Sequence, residues 1–131
     1  MKHSFNIIFA LVITSIINFS PISINALQSN WVGVPSSTYG EQVWDKNNIF
    51  KNDDGSIRVF SKFIPKIKNK ITKEILYTMD INCYERTFRD VAVGERQFDE
   101  FKNINVQWQY PNGDELIIGV IEQVCSLNET I

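Results

Sequence analysis

Polar and apolar residues alternate along 56–63, Ser-Ile-Arg-Val-Phe-Ser-Lys-Phe, directly after an Asn52-Asp53-Asp54-Gly55 turn signal. Period-two alternation bounded by turn residues predicts a β-hairpin, with its first strand in 42–50 and its second in 56–63. Ile57, Val59 and Phe63 then share one face and Arg58, Phe60 and Lys62 the other, with Pro65 expected to end the strand. A second alternation places Ile75, Tyr77, Met79, Ile81 and Cys83 on one face, with Leu76, Thr78, Asp80 and Asn82 between them. That apolar face ends on a cysteine. Residues 84–91 predict a further strand after a tight bend. Residues 103–110, with Ile104, Val106 and Trp108 at period two, predict another, closed by Pro111-Asn112-Gly113.

The period then changes. From Glu115 onward Leu116, Ile117, Val120, Ile121, Val124 and Cys125 recur at spacings of three and four, which predicts an amphipathic helix with Asp114 as N-cap and Glu115 in the favourable first turn. Ile117, Ile121 and Cys125 fall on one stripe. Gly119 weakens the helix by about 1 kcal/mol relative to Ala. The expected fold is α+β: a single antiparallel β-sheet with a C-terminal helix packed on one face, without internal repeats or linkers.

The opening of the chain has a different pattern. Met1-Lys2-His3 is followed by an apolar run over 5–19 and a small-residue end at Ser23-Ile24-Asn25-Ala26. This is the layout of a secretory signal peptide, and the run is shorter than the roughly 20 apolar residues of a spanning helix. Cleavage after Ala26 is expected, leaving 27–131 as one exported domain without a transmembrane anchor, located in the periplasm, on the outer surface or in the medium. No cysteine follows the apolar run to carry a lipid.

Export changes the reading of the chemistry. Cys83 and Cys125 become a structural disulfide stapling helix to sheet, closing a loop worth about 4 kcal/mol by the chain-entropy estimate. His3, the one histidine of the chain, leaves with the signal peptide. Without imidazole there is no Ser-His or Cys-His pair and no zinc site of the usual histidine type. No G-x-S-x-G, S-x-x-K, phosphate loop or metal-ligand cluster is present. Neither catalysis nor a cofactor or metal is expected. With 13 basic and 15 acidic residues the net charge is −2, and loss of Lys2 makes it more negative, which disfavours nucleic acid as partner.

Trp31-Val32-Gly33, Gln42-Val43-Trp44-Asp45, 82–89 (Asn-Cys-Tyr-Glu-Arg-Thr-Phe-Arg) and Gln123-Val124-Cys125 resemble, in content and order, the surface-adhesin protein E family. The resemblance spans nearly all of 27–131. It implies a small bacterial envelope domain, an antiparallel sheet with a disulfide-tethered C-terminal helix. It also implies protein partners: host matrix and plasma proteins such as laminin, vitronectin and plasminogen for the namesake, which forms a homodimer. The alternative partner is another envelope protein, in a structural or assembly role.

Several groups of residues are candidates for the binding surface. Lys66, Lys68, Lys70 and Lys73 concentrate positive charge and could recognise an acidic partner, although a solvated hairpin tip is the plainer reading. Arg86 and Arg89, with Arg58 and Lys62, could form a basic face on the sheet, or act as cross-strand partners of Glu85, Asp90 and Glu74. Among Trp31, Trp44, Trp108, Tyr39, Tyr84 and Tyr110, the polar surroundings of Tyr39 favour its exposure, while the phase of Trp108 with Val106 and Ile104 favours its burial. Asp53-Asp54 and Asp99-Glu100 are solvated acids in this reading. Asn128-Glu129-Thr130 matches a glycosylation acceptor that matters only in a eukaryotic secretory pathway.

Overall fold

In the computed structural model, which describes residues 27–68, 70–71, 73–98 and 106–129, the alternating segments pair as antiparallel strands. They are β1 (Trp31–Gly33), β2 (Gly40–Asp45), β3 (Phe50–Lys51), β4 (Ile57–Ile67), β5 (Lys70–Ile71), β6 (Ile75–Asn82) and β7 (Thr87–Val93). The sheet runs β1-β2-β4-β6-β7, with the short strands β3 and β5 also paired to β4. One helix, α1 (Glu115–Asn128), follows. The expected signal peptide and the Asp99-Glu100 pair lie outside the described residues.

The expected hairpin forms, with one break. Its first arm divides into β2 and β3 because the Asp45 carboxylate accepts from the backbone N–H groups of Asn30 (2.9 Å) and Asn47 (3.2 Å) and from Asn48 Nδ2 (2.8 Å), turning the chain out of the ladder. Pro65 does not end β4, which runs on to Ile67 opposite β5. Pro65 stands beyond Phe63, where pairing with β6 ceases, and before Lys66, where pairing with β5 begins. The N–H it lacks is therefore not needed there. The third strand starts at Thr87 rather than at 84, because 83–86 form the turn, with Asn82 Oδ1 accepting from the Glu85 N–H (3.0 Å). Of the strand expected over 103–110, residues 103–105 lie outside the described residues. Residues 106–110 form no strand but a loop with a single bridge, Phe88 to Gln109.

One face of the sheet carries the core read from the sequence. Trp44, Ile57, Val59, Met79, Ile81 and Phe88 pack against Leu116, Val120, Ile121, Val124 and Cys125 of α1. The disulfide joins Cys83 to Cys125, with Cα atoms 5.5 Å apart. Asp114 caps the helix as expected, accepting from the N–H groups of Leu116 (3.1 Å) and Ile117 (3.3 Å). A polar latch adds register: Trp44 Nε1 donates to Gln123 Oε1 at 2.7 Å, and Gln123 Nε2 to the Gly33 carbonyl at 3.3 Å.

Gly119 has a packing role that helix propensity does not reveal. A Cβ built there would lie 2.9 Å from Cβ of Val34, which is itself buried. Alanine would gain about 1 kcal/mol of propensity, but overpacking a filled contact costs about 1–3 kcal/mol. Gly119→Ala is therefore expected to lower the urea midpoint at unchanged slope. A raised midpoint would show that Val34 moves aside freely.

The other face is covered too, by chain that carries no periodic signal. Residues 94–98 cross behind the sheet: Thr78 Oγ1 donates to the Glu95 carbonyl (2.8 Å) and accepts from the Gln97 N–H (3.0 Å). Phe98 meets Phe50 and Phe60 edge-on, with ring centroids 5.8 and 5.1 Å away. Arg96 donates to Ser29 Oγ (2.7 Å) and Asp45 Oδ2 (3.4 Å) and lies over the Trp31 and Phe60 rings. On the same face of the sheet, Arg58 and Asp80 are fully buried and paired, Nε to Oδ1 at 2.8 Å and Nη2 to Oδ2 at 3.0 Å.

Candidate functional site

The helix does not cover its whole face of the sheet. Because α1 is drawn by the disulfide toward the end bearing Cys83, Ile57 and Ile81, the sheet surface around Phe63 and Tyr77 is left beside its first turn. The result is a groove of about 790 Å³. Its floor is Gln42, Phe63, Tyr77, Met79 and Phe88, one wall is Leu116 and Ile117 of α1, and the other is the Ser37–Tyr39 loop. Gly40 closes that loop, with the Ile64 carbonyl so near that any Cβ would collide with it. Gln42 is held in the floor by donating to Ser61 Oγ (2.8 Å), which in turn donates to the Val43 carbonyl (2.8 Å).

Three acids, Asp90, Asp114 and Glu115, line the groove, and no Lys or Arg does. The Asp114 carboxylate is occupied by the first-turn amides of α1. Asp90 is different. It sits opposite Met79 at the bulge of β7, half-buried, and among the described residues no donor reaches its carboxylate. Burial holds its carboxyl above the usual carboxylate range. Proton uptake is thus greater in the folded state, and the stabilising effect of the neutral form is lost as pH rises through that raised value.

The residues proposed from sequence fall in three separate places. Lys66, Lys68, Lys70 and Lys73 stand at the β4–β5 end, beside Tyr39, whose carbonyl accepts from the Lys66 N–H at 3.0 Å. Lys66 pairs with Glu41 at 3.7 Å, whereas Lys68, Lys70 and Lys73 are exposed and meet no carboxylate among the described residues. Tyr39 is 79% exposed, in line with the expectation, and forms the outer rim of the groove. Arg86 lies at the opposite end, in the 83–86 turn with φ +56°, in a shallow cleft with Pro111, Ile118 and Glu122.

Arg89 lies on the strap-covered face, opposite Asp80, and the candidate basic surface does not form. Arg58 is wholly buried, and Arg89 donates from Nε to Asp80 Oδ2 (3.1 Å), brings Nη2 to 3.0 Å from the same oxygen as an ion pair, meets Asp54 at 3.5 Å and stacks on Trp108 at 4.3 Å. These arginines are spent on holding the sheet. Lys62 pairs with Glu74 at 3.1 Å and lies over the Trp31 ring, the cross-strand role foreseen for it. Trp108, expected buried, is half-buried because its ring serves as the platform for Arg89. Asp54 is not merely solvated: burial pushes its carboxyl up, but the Ser56 hydroxyl and N–H, with Arg89, outweigh this and hold it below the usual range.

The periodicity had placed Phe63, Tyr77 and Met79 on one face but could not show that the helix would leave part of it open. Among the described residues there is no group of three or more His, Cys, Asp or Glu side chains suited to a metal ion, and no helix long and apolar enough to cross a membrane. The arrangement offers a surface for binding, with aromatic floor, acidic lining and Tyr39 at the rim. Compared with known proteins, the chain matches the family model of surface adhesin-E over residues 32–131. No curated protein and no solved structure matches it.

Proposed function

Since the chain belongs to the surface adhesin-E family, we propose that it is an exported bacterial envelope binding module that contacts host extracellular-matrix or plasma proteins. The family match over nearly the whole domain carries this reading. The disulfide supports export, since such bonds persist in oxidising compartments. Residues 1–26 act as the signal peptide, and 27–131 form the working domain. The contact surface is the end of the sheet where the groove, Tyr39 and the exposed lysines 68, 70 and 73 lie together, since concave aromatic surfaces with few polar groups are where recognition concentrates. Arg86 is too distant from that end to share its contacts, and Arg89 serves it only by stiffening the sheet. A non-enzymatic role accords with the family.

Cell fractionation combined with surface proteolysis tests the reading, followed by binding of the oxidised protein to immobilised matrix proteins. Surface or medium location with saturable binding is the expected result. Strict confinement to the periplasm, with no matrix binding, would overturn it in favour of a partner within the envelope.

A further inference from the structure

The chemistry of the groove specifies the kind of partner segment it takes. An anion is disfavoured although a helix N-terminus opens onto the groove, because Asp114 already fills the first-turn amides and Glu115 adds a second negative charge there. A purely apolar occupant would bury Asp90 further without giving its carboxylate a partner, which is costly. A cation resolves both conditions. It would meet Asp90 as a charge-assisted hydrogen bond and could rest against the neighbouring Tyr77 and Phe88 rings, whose faces attract positive charge. A volume of about 790 Å³ is far more than one ammonium or guanidinium group occupies, and Phe63, Met79, Leu116 and Ile117 offer the remainder to apolar side chains of the same ligand.

We propose that the groove between the first turn of α1 and the Phe63–Tyr77 surface docks a protein segment in which lysine or arginine alternates with apolar residues, its cationic group seated on Asp90. This deepens the reading of the chain as a protein-binding module and rests on it. The charge of the groove is opposite to that of the lysine tip beside it, so the two surfaces select different parts of a partner.

The test is a fluorescence-polarisation titration of the oxidised protein with a short labelled peptide alternating lysine and leucine, and with its counterpart carrying glutamate in place of lysine. The lysine peptide should bind saturably and the glutamate peptide should not. Asp90→Asn should weaken binding about tenfold, as expected for a lost charge-assisted bond. The variant removes a desolvated charge while keeping the shape, so its thermal midpoint at neutral pH should equal or exceed that of the parent, which separates loss of the site from loss of the fold. Absence of lysine-peptide binding, equal binding of both peptides, or an Asp90→Asn variant that binds undiminished would each overturn the proposal. Matrix binding that survives Asp90→Asn together with undiminished peptide binding would remove the groove from the mechanism and leave the adhesin reading standing. Asp90-dependent peptide binding without any matrix binding would do the reverse.

Discussion

Asp80→Ala is expected to destabilise the protein by about 3–5 kcal/mol, the cost typical of removing one member of a buried ion pair. Asp80 has no exposed surface and accepts three hydrogen bonds of 2.8–3.1 Å, two from Arg58 and one from Arg89, whose Nη2 adds an ion-pair contact at 3.0 Å. Truncation leaves two guanidinium groups, from β4 and β7 on either side of β6, without the carboxylate between them. Arg58 cannot escape to water, because β4 is the central strand and the side chain is wholly buried. Asp80→Asn keeps the shape and one acceptor oxygen but not the charge, so it should fall between parent and Asp80→Ala. Arg89→Ala should cost less than either, since Arg89 is at the edge of the cluster and its side chain keeps 13% exposure. Urea denaturation followed by tryptophan fluorescence measures all three. A loss for Asp80→Ala below about 1 kcal/mol would class the cluster with surface ion pairs, where solvent replaces the missing partner.

Reduction of the Cys83–Cys125 bond should cost about 4 kcal/mol, because the cross-link spans 42 residues and removes loop-closure entropy from the unfolded chain. The folded state should change little. Leu116, Val120, Ile121 and Val124 still bury against the sheet, and the Trp44–Gln123–Gly33 latch still sets the helix register. The loss is therefore expected in the urea midpoint, with far-ultraviolet circular dichroism of the native state unchanged. Cys83→Ser/Cys125→Ser should behave like the reduced protein, with a somewhat larger loss, since hydroxyls replace sulfur beside an apolar layer and the one at 125 is buried. A native signal that drops on reduction, before any denaturant is added, would show that the disulfide holds the helix on the sheet rather than restraining the unfolded chain. In that case the groove, whose wall is the first turn of the helix, would be lost with it.

Both predictions separate what a sequence displays from what it conceals. The disulfide was legible because Cys83 continues the in-phase series Ile75 to Ile81 and Cys125 continues the helical series from Leu116, so both sulfur atoms belong to faces that bury against each other. The Arg58–Asp80–Arg89 cluster was not. Arg58 and Asp80 alternate with apolar residues and so read as the solvated side of a sheet, and nothing in the local pattern says that this side will be covered.

Chain periodicity determined the strands around 57–63 and 75–82, the helix from 115, its Asp114 cap, and the face on which each apolar residue lies. These follow from the sequence alone because one-sided burial imposes a period of two on a strand and 3.6 on a helix, whichever partner supplies the burial. Tertiary structure alone decided the rest. Residues 94–98 have no period and become a second cover only because Thr78, Asp45 and the Phe50–Phe60 pair, contributed by other strands, converge on them. The groove likewise exists because the disulfide and Val34 fix where the helix lands, leaving Phe63, Tyr77 and Asp90 beside its first turn. A local pattern records which faces must be buried. What buries them, and where that cover stops short, depends on contacts between residues far apart in the chain.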